Sequence, residues 1–210
     1  MNRTSGSAAP EGGSDRTPAD LHRTAIHEAG HAIVAEVLAI GCTEVTNVPD
    51  WDDGTAGFAL SSAGDAAVLQ AWEQRGIHHR DWRSALRATA LVLLAGAAAE
   101  QELLGSAGAG LGAGDDLRRA GWAVDDLTPA NGDCGTTFLR LERAAAALVA
   151  RHRMAIATLA DAVVEHRHLS AEPLARIIEC VLARSPAVAR HGPGARFTFA
   201  DRAPWEGNEQ

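Results

Sequence analysis

Lysine and tyrosine are both absent from this sequence of 210 residues, and the remaining aromatic residues are few: four Phe and five Trp. Without Lys the chain has no phosphate-binding Gly-x-x-x-x-Gly-Lys loop, so we expect that it is not itself an ATPase. Ala and Leu dominate the apolar residues. Because these two favour helices while strands favour aromatic and β-branched residues, the composition predicts a mostly helical fold.

Long apolar runs are absent as well. The longest one, residues 88–99, ends at Glu100 and falls well short of the roughly 20 residues that cross a bilayer. The polar N-terminal stretch lacks the apolar core of a signal peptide. We therefore expect a cytoplasmic protein with no membrane span.

Charge and cysteine content narrow the functional classes further. The net charge is -8, and the Arg residues are scattered rather than clustered, so we expect no nucleic-acid partner. The three cysteines, Cys42, Cys134 and Cys180, are odd in number and lack the spacing of a metal site. We interpret them as reduced thiols.

The chain divides into three parts by composition. Residues 1–16 are rich in Gly, Ser, Ala and Pro and are predicted to be disordered. Residues 17–185 are long and apolar enough for one folded domain. Residues 186–210 show little periodicity and are interpreted as a C-terminal tail.

Within the domain, local patterns predict helices and a small sheet. Thr17, Pro18 and Asp20 form a recognisable helix start, and the apolar spacing continues until Gly41. Segments 43–48 and 56–60 flank an Asp53-Gly54 turn signal and predict a small antiparallel β-sheet or hairpin. Further helices are predicted over residues 65–75, 81–104, 137–166 and 170–184, with another restarting at Asp115.

The string HEAGH, residues 27–31, lies inside the first predicted helix. Helix positions i and i+4 share a face, so His27 and His31 can reach one metal ion. Glu28 is rotated by about 100° from His27, which places it beside the metal as a general base. Gly30 costs about 1 kcal/mol relative to Ala and suggests a segment packed closely against this helix. The alternative is two histidines that are four residues apart by chance.

A third metal ligand is needed, and spacing alone does not identify it. Asp116 follows a Gly-rich stretch, residues 105–114, and stands at the start of a helix. A carboxylate is favoured there in any case by the helix dipole. From the residues alone, ligation by Asp116 and simple helix stabilisation both remain open.

Several motifs occur in order along the chain: TAIHEAGHAIVAEVL, EVTNVP with GTAGFAL, LAGAAAEQELLG, and GAGDDLRRA, followed by VVEHRHLSAEPLARII. In this order they resemble the peptidase domain of the FtsH-type zinc proteases, which are membrane-anchored and ATP-dependent. Together they cover about residues 18 to 182. The resemblance implies a helical, zincin-like peptidase domain that binds Zn²⁺.

The matching motif positions assign family roles to individual residues of this chain. The resemblance implies that Asp116 is the third ligand, with Asp115 in place of the family's Asn. It also places Glu100 near the metal, where it could orient a ligand imidazole, although an ordinary helix-surface Glu is an equal alternative. The segment AGFAL resembles the strand beside the family's cleft, where an extended substrate could add as a strand; packing alone would also explain it.

The sequence therefore predicts a zinc-dependent endopeptidase that hydrolyses flexible or unfolded polypeptides. His27, His31 and Asp116 would hold the metal, and Glu28 would be the base. The implied partners are a polypeptide substrate, a separate unfoldase and further copies of the chain. The alternative is a catalytically silent zinc-binding adaptor or peptide-binding module. An intact Glu28 favours the enzyme, because a structural zinc site has no need of it.

Overall fold

In the computed structural model, residues 16–49, 56–61, 65–77, 81–106 and 113–184 are described. They form six helices and three strands. The helices are α1 (Pro18–Val37), α2 (Asp65–Gln74), α3 (Trp82–Leu104), α4 (Ala113–Leu127), α5 (Cys134–His166) and α6 (Ala171–Ala183). The strands are β1 (Cys42–Thr46), β2 (Phe58–Ser61) and β3 (His168–Ser170). The predicted fold class, mostly α with a small antiparallel sheet, is confirmed. Residues 1–15 of the predicted disordered segment, the whole predicted tail and the Asp53-Gly54 turn lie outside the described residues.

Helix α1 is the central helix of the fold. It begins as predicted, because the Thr17 side chain accepts a hydrogen bond from the Asp20 N–H and the Asp20 carboxylate accepts one from the Thr17 N–H. It ends at Val37, earlier than the predicted stop near Gly41. The chain turns through Ala39 and Gly41, both with positive φ, so the apolar residues after Val37 belong to a buried turn. Nearly every residue from Thr24 to Val37 is buried.

Helix α3 packs directly against α1. Its N-terminus is capped by Asp81 and its C-terminus by Gly105 in the left-handed conformation. The two helices approach closely at Gly30, where a Cβ would lie 2.8 Å from both the Ala95 carbonyl oxygen and the Ala99 Cβ. The prediction that Gly30 permits a close approach is therefore confirmed, and the approaching segment is α3.

The sheet has the order β2-β1-β3, and both pairings are antiparallel. Val45 of β1 is paired with Ala59 on one side and with Leu169 on the other. The sequence predicts the first two strands but not β3, which has only three residues. Since β1 lies in the middle, β2 forms one edge of the sheet.

Helix α5 is long and completes the core together with α6. It begins at Cys134, capped by the Asp133 side chain, rather than near Thr137 as predicted. Its buried face includes the predicted residues Leu141, Ala145, Ala155, Leu159 and Val163. The helix is kinked at His152, whose backbone angles are not helical. Among the described residues, no helix is both long and apolar enough to cross a membrane.

Candidate metal centre

Three side chains predicted as metal ligands meet in the structure. His27 and His31 lie one turn apart on α1, both are buried, and their ring centroids are 4.7 Å apart. The Oδ2 atom of Asp116, near the start of α4, is 3.1 Å from Nε2 of His27 and 3.2 Å from Nε2 of His31. One candidate donor atom from each residue lies within 4.8 Å of the others. The fold thus brings Asp116 to the HEAGH helix across about ninety positions of sequence.

The second nitrogen of each imidazole is also fixed. Nδ1 of His27 is 2.8 Å from Oε1 of Glu100, and Nδ1 of His31 is 2.6 Å from the carbonyl oxygen of Val92. Both partners accept hydrogen bonds, so both rings donate from Nδ1. This arrangement leaves each Nε2 directed at the common centre, as in metal sites where an outer acceptor fixes the tautomer.

Gly96 provides the space in which the two imidazoles meet. A Cβ at this position would lie 2.5 Å from Nε2 of His27 and 2.6 Å from Nε2 of His31. Any larger residue would therefore occupy the place of a metal or push the rings aside. Sequence reasoning did not single out Gly96, although a Gly inside an Ala- and Leu-rich helix, at a cost of about 1 kcal/mol, was an available signal.

Two of the three distances between donor atoms fit a zinc ion. Two atoms held about 2.05 Å from zinc at a tetrahedral angle are about 3.3 Å apart. The two distances from Asp116 Oδ2, 3.1 and 3.2 Å, are close to that spacing. Two imidazole nitrogens and one carboxylate oxygen also form a donor set typical of catalytic zinc. Among the described residues, these three form the only group of candidate ligands that converges in this way.

Opposite charges hold the centre together electrostatically. Burial acts to lower the pKa of His27, but hydrogen bonds to Asp116 and Glu100 outweigh it and raise this pKa to about 10. Burial acts to raise the pKa of Asp116, but hydrogen bonds from His27 and His31 hold it well below its usual range. Asp116 is therefore an anion, and a metal ion would compete with a proton at His27 Nε2.

Glu28 lies beside this cluster rather than in it. Its side chain is buried, and burial raises the pKa of its carboxyl, while His31 and His27 act to lower it. The backbone of Ala59 on the edge strand β2 has a smaller effect, which also acts to lower this pKa. A carboxyl with a raised pKa, next to candidate metal ligands and a strand edge, has the placement of a proton-transfer group.

Glu100 is buried next to His27. Its carboxylate is buried in the interior between α1 and α3, with Oε1 at Nδ1 of His27 and Oε2 3.0 Å from Nη1 of Arg23. The alternative of an ordinary surface Glu is therefore wrong. Asp115, by contrast, points to Arg118 on the exposed side of α4.

The remaining described histidines lie away from the cluster. His22 and His168 pair with Asp161 and Glu44, respectively. His152 is buried, and its Nδ1 has no hydrogen-bond partner among the described residues. Burial lowers the pKa of His152 to about 4, with a smaller effect of Arg151 in the same direction. The His78-His79 pair lies outside the described residues.

Comparison with known proteins gives a limited match. The chain is 40% identical over 104 residues to a protein of Symbiobacterium thermophilum named ATP-dependent zinc metalloprotease FtsH 2. The match covers 49% of this chain but spans only 15% of that protein's length. No family model matches the chain. The similarity supports a distant link to the FtsH family.

Proposed function

We propose that this chain is a zinc-dependent endopeptidase that hydrolyses flexible or unfolded polypeptides. The observation that carries the proposal is the convergence of His27, His31 and Asp116 beside the buried carboxyl of Glu28. The partial similarity to a zinc metalloprotease supports a protease-like function. The finer assignment of residues to ligand and base roles rests on the geometry.

In the proposed mechanism, His27, His31 and Asp116 hold the metal. Bound zinc supplies a Lewis acid that polarises the scissile carbonyl and makes water more acidic. Glu28 takes the proton from the attacking water and later delivers it to the leaving amine. The raised pKa of Glu28 suits its role as the base, because burial makes this carboxylate a stronger proton acceptor than an ordinary exposed carboxylate.

The sheet supplies a place for the substrate. Strand β2 is an edge strand, and the backbone of Ala59 on this strand lies close enough to Glu28 to influence the pKa of its carboxyl. An extended peptide that added to this edge would pass directly beside the base. Most extended segments of a folded protein are already paired within its own sheets, so the proposed substrate is flexible or already unfolded, or is delivered by a separate unfoldase.

The alternative is a catalytically silent zinc-binding adaptor. Structural zinc sites close the fourth coordination position with another protein ligand. Within the described ranges, no fourth His, Cys, Asp or Glu joins the cluster of His27, His31 and Asp116. The lack of a fourth protein ligand, together with the burial of Glu28 beside the cluster, favours the enzyme over the adaptor.

Cleavage of fluorescently labelled casein by the zinc-loaded chain, without ATP, tests the proposal. Glu28→Gln should lower the rate by about 100-fold or more and still bind one zinc. Glu36→Gln is a matched control, because Glu36 lies on the same helix but pairs with Arg75; it should cut at the native rate. Zinc binding without cleavage by the native chain would favour the adaptor.

A further inference from the structure

Arg23 contacts the metal centre through one intermediate residue. Its Nη1 atom is 3.0 Å from Oε2 of Glu100, and the other oxygen of that carboxylate is 2.8 Å from Nδ1 of His27. Arg23 and His27 are four residues apart on α1, so they share a face and reach the same carboxylate of α3. The three side chains thus form a continuous chain, from guanidinium to carboxylate to imidazole.

The charges explain why Glu100 needs such a partner. The Glu100 side chain is only 2% exposed, and a buried carboxylate is costly unless a positive charge and hydrogen-bond donors surround it. His27 donates one hydrogen bond, but an imidazole that binds a metal through Nε2 is neutral. Arg23 is always charged, and it is one-third exposed, so its own desolvation is partial.

Arg23 has a second contact that fixes its direction. Its Nη2 atom is 3.4 Å from the hydroxyl oxygen of Ser106, just past the end of α3. The guanidinium therefore joins Glu100 of α3 to Ser106, which follows the C-terminal end of that helix. A side chain held at two points is better placed than a single ion pair to fix the orientation of Glu100.

We propose that Arg23 is a positioning residue of the metal centre: through Glu100 it fixes the orientation and tautomer of the His27 imidazole and so raises the affinity for zinc. This inference rests on the metal site of the proposed function. A purely structural ion pair between α1 and α3 would contribute to stability but would leave the zinc affinity unchanged.

Zinc titration against a chromogenic chelator, on the full chain, separates these roles without any activity assay. Arg23→Met should weaken zinc binding by about 10-fold, the lower end of the effect of outer-shell partners. Arg23→Lys should recover only part of this loss, because it restores the charge beside Glu100 but not the second contact with Ser106. Arg75→Met is the matched control: Arg75 pairs with Glu36 of α1, away from the metal centre, and its loss should leave the affinity unchanged.

A double-mutant cycle tests whether Arg23 acts on His27 through Glu100. In a Glu100→Gln background, Arg23→Met should weaken zinc binding by no more than about twofold, because the carboxylate that transmits its effect is gone. Native zinc affinity in Arg23→Met, with a lowered melting temperature, would overturn the inference and leave the proposed function intact. Failure of the native chain to bind zinc would overturn both.

Discussion

Gly96 of α3 lies directly against the imidazole of His27, so that a Cβ on Gly96 would fall 2.5 Å from Nε2. Gly96→Ala should therefore push both ligand rings away from the common centre. We expect zinc affinity to fall by more than about 10-fold, and the overpacking to cost about 1–3 kcal/mol of stability. Zinc titration and urea unfolding of the same sample measure the two effects.

Gly121→Ala is the control for that substitution. Gly121 also lies in a helix, α4, but among the described residues no atom outside its own stretch of helix lies within 4 Å of the position of its Cβ. The added methyl should stabilise the protein by up to about 1 kcal/mol through helix propensity alone and leave zinc binding unchanged. Equal zinc affinity in Gly96→Ala and Gly121→Ala would contradict the close approach of α3 to the ligands.

Asp115 and Asp116 are adjacent in the sequence but face different surroundings. Asp116 contacts both imidazoles, whereas Asp115 is half-exposed and pairs with Arg118. We expect Asp116→Asn to weaken zinc binding by more than about 100-fold, beyond the effect of losing an outer partner. Asp115→Asn should leave zinc binding close to native. If a chelator competition showed that Asp115→Asn weakens zinc binding more than Asp116→Asn does, Asp115 would be the third ligand instead.

Zinc should also stabilise the fold, because its proposed ligands come from two separate helices. His27 lies on α1 and Asp116 on α4. Free zinc at 100 times the dissociation constant adds about 2.7 kcal/mol, or roughly 5–10 °C in melting temperature for a chain of this size. Differential scanning fluorimetry with zinc and with EDTA measures the shift.

Two variants show whether that stabilisation comes from this site. Glu28→Gln keeps all three proposed ligands, so it should show the full shift in melting temperature. Asp116→Asn should lose most of it. A full shift in Asp116→Asn would mean that zinc stabilises the chain from somewhere else.

Local patterns predicted much of the HEAGH helix. The Thr17 cap and the shared face of His27 and His31 depend on residues within two turns of each other, so sequence spacing alone encodes them. Gly30 also indicated a close neighbour. The identity of that neighbour, α3, depends on the packing of segments far apart in sequence, which spacing does not encode.

Other parts of the site could not be derived from local patterns. The partner of His31 Nδ1 is the backbone carbonyl of Val92, and a carbonyl leaves no signature in the sequence. Local patterns left two hypotheses for Asp116, metal ligation and helix stabilisation, and only the resemblance to a protease family favoured ligation. Strand β3 is three residues long, too short for alternation to be visible, and it exists because β1 offers it an edge.

His152 provides a test of pH dependence away from the metal centre. It is buried at the kink of α5, Nδ1 has no hydrogen-bond partner among the described residues, and burial lowers its pKa to about 4. In the unfolded chain this pKa is about 6.5. Between these two values the unfolded state binds more protons than the folded state, so acidification from pH 6.5 to 4 should remove stability.

The full pKa difference corresponds to roughly 3 kcal/mol. His152→Leu removes the titrating group and the unpaired nitrogen together. In urea unfolding of the zinc-free protein, native stability should fall more steeply than that of His152→Leu between pH 6.5 and 4, and the two curves should run parallel above pH 7. Since all other titrating groups are shared, their difference isolates His152. Parallel curves over the whole range would mean that His152 is solvated or paired in the folded protein.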